Sequence, residues 1–174
     1  WQSDITAAIN LGVEHISAYS LMYEEGTTLY RMLEQGKIEE IDEEASRQMY
    51  EQLISQLTEA GYEHYEISNF ARPGHEGRHN LLYWNCCDYL GLGPAAHSCL
   101  GALRSYWPND VQGFIAGTVQ PQPEGDCTAE DFLLMQLRLR TGLNLPQYAA
   151  RGGQLTAAQR AFMRQCVAHG YAVW

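Results

Sequence analysis

Residues 78–98, RHNLLYWNCCDYLGLGPAAHS, gather the side chains of this sequence most able to do chemistry. His79 lies four residues before Tyr83 and five before Trp84. A histidine beside large flat rings can ligate a metal or an iron macrocycle while the aromatics cover its faces. The same histidine can equally be hydrogen-bonded inside an aromatic core. Residue types alone leave both readings open. Further on, Gly91 and Gly93 precede the small Ala95 and Ala96, and missing side chains let a backbone approach a ligand or another strand closely. The run is not a phosphate loop of the GxGxxG kind, because position 96 is Ala. His97 either points at the same ligand as His79 or caps the turn.

The five cysteines are Cys86, Cys87, Cys99, Cys127 and Cys166. An odd number without dense spacing argues for reduced cytosolic thiols and a cytoplasmic location, not a disulfide framework. Cys86 and Cys87 point to opposite faces if extended, which makes a poor chelating pair. Neither CxxC nor CxxxCxxC occurs, so no tetrahedral zinc or iron–sulfur site is expected from this chain alone. No Ser/His/Asp order or carboxylate pair suggests hydrolysis.

The elements that must position these residues follow from periodicity and punctuation. A helix is expected over Trp1–Leu11 and a buried strand over HISAYSL, 15–21. A short helix capped by Thr27 or Thr28 stops at Gly36. Asp42 is expected to cap a longer helix that carries Met49, Leu53, Leu57 and Ala60 and ends at Gly61. YEHYEISNF, 62–70, alternates like one strand, which makes a strand–helix–helix–strand unit with parallel strands and an α/β class. In such units ligands sit beyond the carboxyl ends of strands, so Tyr19 to Met22 and Ser68 to Phe70 either meet a small molecule or, as spacing alone favours, make ordinary strand-to-loop packing. LLYW and DYLGLG are expected to be extended, GALRSYW to add a strand, and Asp110–Gly117 to form a short helix.

QPQPEGD has linker composition. After it, Thr128 with Asp131 and Thr156 with Gln159 mark two helix starts of capping-box type, with NLPQYAARGG as a helix or turn between them. YAVW is expected to begin a strand. Three helices and a strand suggest a winged-helix-like module.

The net charge of −10 is uneven: residues 1–127 carry 19 acidic against 6 basic side chains, and residues 128–174 carry 2 against 5. The acidic part disfavours nucleic acid and anionic membranes; the basic tail keeps nucleic acid open only for the last segment. Apolar runs are too short for a transmembrane helix, which still allows peripheral membrane contact. The chain opens without Met, directly in a helix-like stretch, and is expected to be a piece of something longer.

HISAYSLMYEEGTTLY, YEHYEISNFARPGHEGRHNLLYWN and DYLGLGPAAHS together resemble the C-terminal half of the oxygen-independent coproporphyrinogen III oxidase-like radical S-adenosylmethionine proteins, in the heme chaperone (HemW) branch. DFLLMQLRLRTGLNL resembles the start of the family's C-terminal domain. The resemblance implies an α/β fold: the C-terminal part of an open (βα)6 barrel over 1–119, a linker at 120–127, and a small helical, winged-helix-like domain over 128–174. It implies heme bound by the HNxxYW residues His79, Asn80, Tyr83 and Trp84, with His79 on the iron. It implies an S-adenosylmethionine pocket walled by Tyr19, Leu21, Met22, Pro94, Ala95 and Ala96. The 4Fe–4S cluster of the family is bound by CxxxCxxC, so no ligand is assigned here and radical chemistry is not expected of this chain alone. Client hemoproteins would be the partners; oxidative decarboxylation of coproporphyrinogen III is the alternative function. Ala95 departs from the family pattern, where relatives more often carry Gly.

Overall fold

A computed structural model describes residues 1–173 of the chain. It divides into two compact units, Trp1–Leu81 and the residues from Leu82 onward.

The first unit holds α1 (Gln2–Asn10), β1 (His15–Ser17), α2 (Thr28–Glu34), α3 (Glu43–Glu59), β2 (Glu63–Glu66) and β3 (Asn69–Ala71). Local chemistry sets the helix starts. Thr27 accepts from the Tyr30 N–H, and Asp42 from the Ala45 N–H, with Glu43 and Glu44 in the favourable first turn of α3. Leu53 and Leu57, one turn apart, then face inward and close a core with Ile5, Tyr62 and Phe70. Burying a side chain of this size stabilises by about 1.5–3 kcal/mol. The Tyr62 hydroxyl, at the core edge, donates to the Val13 carbonyl at 2.6 Å.

The expected single strand at 62–70 is instead a tight hairpin. The Glu66 carboxylate accepts from the Ser68 N–H at 3.1 Å and from the Asn69 amide, which folds the chain back on itself. The sheet order is therefore β1-β3-β2, with β3 antiparallel to both neighbours. β1 and β2 do run in the same direction, as a parallel unit would have them, but β3 lies between them. β1 is also shorter than the expected 15–21. Beyond Ser17, one bond from the Ala18 N–H to the Ser68 carbonyl prolongs the pairing, and Tyr19 to Met22 are irregular.

The boundary between the units falls within α4 (Arg78–Trp84). This is a second correction, because RHNLLYW is helical and not extended.

In the second unit β4 (His97–Leu100), β5 (Leu103–Tyr106) and β6 (Gln122–Asp126) form an antiparallel meander, with α5 (Val111–Ala116) between the last two strands. β6 occupies the stretch expected as a linker, so at 122–126 that expectation gives way to a ladder with β5. Every strand pairing among the described residues is antiparallel. The helices α6 (Ala129–Gln136), α7 (Leu145–Ala150) and α8 (Ala157–Ala168) follow, with full capping boxes at Thr128 and Thr156. Phe132, Tyr148 and Leu155 make the small core here. Of the apolar stripe on α8, Met163 packs against that core while Phe162 is exposed. Tyr171–Val173 is not a strand, and Trp174, the end of the expected YAVW strand, lies outside the described residues.

Candidate functional site

The residue before α4 is Gly77, which brings no side chain to the helix start, and neighbouring side chains bond to the helix and its flanks. Asn80 and Trp84 share one face of the helix, one turn apart, and His79 and Tyr83 share the adjacent face. In the first unit the Tyr65 hydroxyl is the anchor point. It accepts from the Gly77 N–H at 3.1 Å, is hydrogen-bonded by the Asn80 side chain, and lies 2.9 Å from His15 Nε2. With the two donors supplied, its own proton is left for His15. Burial pushes the Tyr65 phenol up, while the Gly77 and Asn80 donors pull it back. Gly77 is closely surrounded: a Cβ there would meet the Tyr65 hydroxyl at 2.9 Å and both Asn80 and His15 at 3.3 Å.

In the second unit Trp84 is held from two sides. The Arg138 guanidinium stacks over its ring at 4.3 Å, and the Gln136 amide donates to its carbonyl at 3.0 Å. Its indole N–H is buried with no acceptor among the described residues. Tyr83 meets Tyr89 edge-to-face at 4.6 Å. His79 is solvent-exposed, which removes the core-histidine reading.

The remaining candidates fall into two groups. Tyr19, Leu21 and Met22 follow β1 in the first unit, all two-thirds exposed or more. They form an unusually apolar stretch of open surface. Asn69 and Phe70, by contrast, are sealed in the core of β3, so the expected ligand role at that strand end is withdrawn. Pro94, Ala95 and Ala96 belong to the turn before β4 in the second unit. Ala95 has φ of +61°, the left-handed conformation that glycine adopts at little cost. The departure noted in the sequence is therefore a strained one. Gly91 has a structural duty: a Cβ there would collide with the His97 carbonyl, so its close approach is to a strand.

His97 neither caps the turn nor remains uncommitted. It sits in β4, stacked on Tyr106 at 5.7 Å, with Nδ1 3.1 Å from Glu124. Arg104 reaches the same Glu124 oxygen at 3.2 Å. His97, followed by Arg104, holds the Glu124 carboxyl below its ordinary value. A cleft of about 330 Å³ opens here, lined by Ala95, His97, Tyr106, Trp107, Asn109 and Glu124. Sequence reasoning missed Glu124, because it lay in a presumed linker. It also missed Arg138, which nothing in its local sequence connects with Trp84. A larger cleft of about 510 Å³, with Asn85, Gln136 and Asn144 in its wall, contains none of the expected site residues.

Antiparallel strands and helices alone do not identify this chain; comparison with known proteins does. It superposes on the coproporphyrinogen III oxidase HemN from Escherichia coli, described as a radical SAM enzyme, with a TM-score of 0.61. The match covers 84% of this chain and 38% of HemN at 18% identity, which places the chain in the fold class of that protein. No protein-family model matches it. In sequence it is 37% identical over 155 residues to the heme chaperone HemW of Mycobacterium tuberculosis, covering 84% of this chain and 40% of the relative. It is 33% identical over 172 residues to the mitochondrial radical S-adenosyl methionine domain-containing protein 1 of Bos taurus, covering 90% and 39%. The chain thus spans about 40% of the length of these curated relatives. It belongs to the HemW-like family and corresponds to its C-terminal region.

Proposed function

We propose that this chain is the heme-holding part of a HemW-like chaperone, with His79 on the iron and Tyr83 against the macrocycle, and that the complete protein passes heme to client hemoproteins. Heme is cargo in this reading. One observation carries it: an exposed imidazole stands on a short helix that other side chains fix in place. A histidine so placed can reach an iron without unfolding its surroundings. Asn80 and Trp84 serve the site by holding α4, through Tyr65 and Arg138 respectively. The kinship with proteins named heme chaperone supports the same reading.

For the complete protein we assign Tyr19, Leu21 and Met22, and Pro94, Ala95 and Ala96, to the walls of an S-adenosylmethionine pocket in an open (βα)6 barrel. The exposed apolar surface of Tyr19, Leu21 and Met22 fits such a ligand. When bound, S-adenosylmethionine and a 4Fe–4S cluster supply radical chemistry. This chain's residues do not fit the cluster: its cysteines lack CxxxCxxC spacing, and no group of His, Cys, Asp or Glu among the described residues is arranged for a metal. Among the described residues no helix is long and apolar enough to cross a membrane.

The test is a hemin titration of the chain followed by its Soret band, beside anaerobic incubation of the full-length protein with coproporphyrinogen III. Saturable binding at one heme per chain without porphyrin turnover is expected. Turnover would establish the oxidase instead, and nonsaturable binding would remove heme from the account.

A further inference from the structure

The larger cleft of the second unit, about 510 Å³, is walled by the residue after α4, the end of α6 and the start of α7. A space of that size can take a small ligand. Its polar wall is built from Asn85, Gln136, Thr141, Asn144 and Gln147, and its apolar wall centres on Leu139, Leu143 and Leu145. Leu143 and Leu145 also pack against the core of Phe132, Tyr148 and Leu155, which anchors that side of the cleft. No Asp, Glu, Lys, Arg or His lines it.

Gln136 gives the cleft its chemistry. The residue is only 3% exposed, and its amide nitrogen donates twice, to the Trp84 carbonyl at 3.0 Å and to Asn85 Oδ1 at 3.1 Å. Both amide hydrogens are thereby used, which fixes where the oxygen points. That Oε1 accepts no hydrogen bond among the described residues, and it is not one of their fully shielded polar atoms. It therefore keeps an opening, and the cleft is the open space that Gln136 borders. Buried acceptors are rarely left without a partner. Asn144 supplies the opposite half. Its Oδ1 caps α7 by accepting from the Gln147 N–H at 3.0 Å, which leaves its two amide hydrogens to donate elsewhere.

We infer that this cleft binds an uncharged peptide segment of a partner polypeptide. A peptide N–H donates to Gln136 Oε1, a peptide carbonyl accepts from Asn144, and an apolar side chain lies against the leucines. The acceptor and the donor match the two halves of a peptide group. A carboxylate, phosphate or ammonium would give up its water here and meet no opposite charge in the wall. Water could satisfy Gln136 alone, but it gains nothing from the leucines. The site does not depend on the heme reading.

The experiment titrates the isotope-labelled chain with N-acetyl-leucine N-methylamide, a neutral probe with two amides and one apolar side chain. The comparison probe is N-acetyl-leucine, which ends in a carboxylate. Expected are saturable shifts of the Gln136 and Asn144 side-chain amide resonances with the neutral probe, and binding about tenfold or more weaker with the carboxylate. Asn144→Ser keeps a capping oxygen for α7 but removes the amide donor, so it should bind the neutral probe about fivefold more weakly. Circular dichroism of the variant separates lost binding from lost fold, and Asn144→Gly replaces it if the serine variant unfolds. No saturable shift, equal binding of the carboxylate, or wild-type affinity in the folded Asn144 variant would overturn the assignment.

Discussion

The two units differ in where they hold strain. In the first, core, caps and polar network agree: Tyr62, Phe70 and Leu57 are fully buried, and even the buried Glu66 and Asn69 bond each other. The second unit contains all three described non-glycine residues with left-handed backbone, Cys86, Ala95 and Ala102. Ala102 follows Gly101 in a two-residue hairpin turn where both residues have positive φ, the geometry that two-residue hairpins require. Strained residues persist only where their surroundings over-determine them, and they concentrate at working sites. Here two of the three flank the residues of interest, Cys86 after α4 and Ala95 in the PAAHS turn. The first unit carries His79, Tyr19, Leu21 and Met22 without such strain, and the second holds its left-handed residues after α4, in the PAAHS turn and in the β4–β5 hairpin.

That contrast can be broken by substitution. The largest effect is expected from Phe70→Ala, which empties the sealed core of the first unit and costs about 3–5 kcal/mol in chemical denaturation. Phe162→Ala on the exposed face of α8 is expected to stay within about 0.5 kcal/mol. Equal losses would show that the burial contrast misdescribes the chain. Next is Tyr65→Phe, which removes the hydroxyl that receives Gly77 and Asn80 and pairs with His15. Leaving those groups without it costs about 1–3 kcal/mol, and amide exchange at Gly77 should accelerate. In the second unit the sign reverses. Ala95→Gly relieves a left-handed alanine and should stabilise by about 1 kcal/mol, read as a higher denaturant midpoint. A loss of stability there would refute the strain assignment.

The smallest effect is electrostatic. The Thr128 backbone N–H, then its hydroxyl, hold the Asp131 carboxyl below the ordinary value of 3.8. Because the folded value is the lower one, this contribution is present above 3.8 and fades as the pH falls through the depressed folded value. Asp131→Asn should cost about 0.5–1 kcal/mol at neutral pH and flatten the acid limb of the stability profile. An unchanged acid limb would mean that the capping box carries no proton linkage.

What the sequence made legible was chemistry confined to a few neighbouring residues. Asp42, Thr128 and Thr156 cap the helices they were expected to cap, since an oxygen three residues ahead of a free N–H needs no distant partner. The hairpin at Glu66–Asn69 was hidden because its turn, Ile67–Ser68, contains neither Gly nor Pro; a buried carboxylate turns the chain instead. β6 was hidden because a Pro- and Gly-rich edge strand looks like a linker until β5 is beside it. α4 was the instructive miss. Its Leu, Tyr and Trp suit a strand, and its helical form depends on Tyr65, Gln136 and Arg138, all distant in sequence. The histidine of interest was legible as a residue, but its exposure was not.

The central claim is that His79 is the residue on the heme iron, and it is tested most directly by exchanging three exposed histidines one at a time. Hemin titrations of His79→Ala, His97→Ala and His169→Ala should show weakened binding, by about tenfold or more, and a displaced Soret band in His79→Ala alone. Wild-type affinity and Soret position in His79→Ala, or an equal shift in His97→Ala, would contradict it.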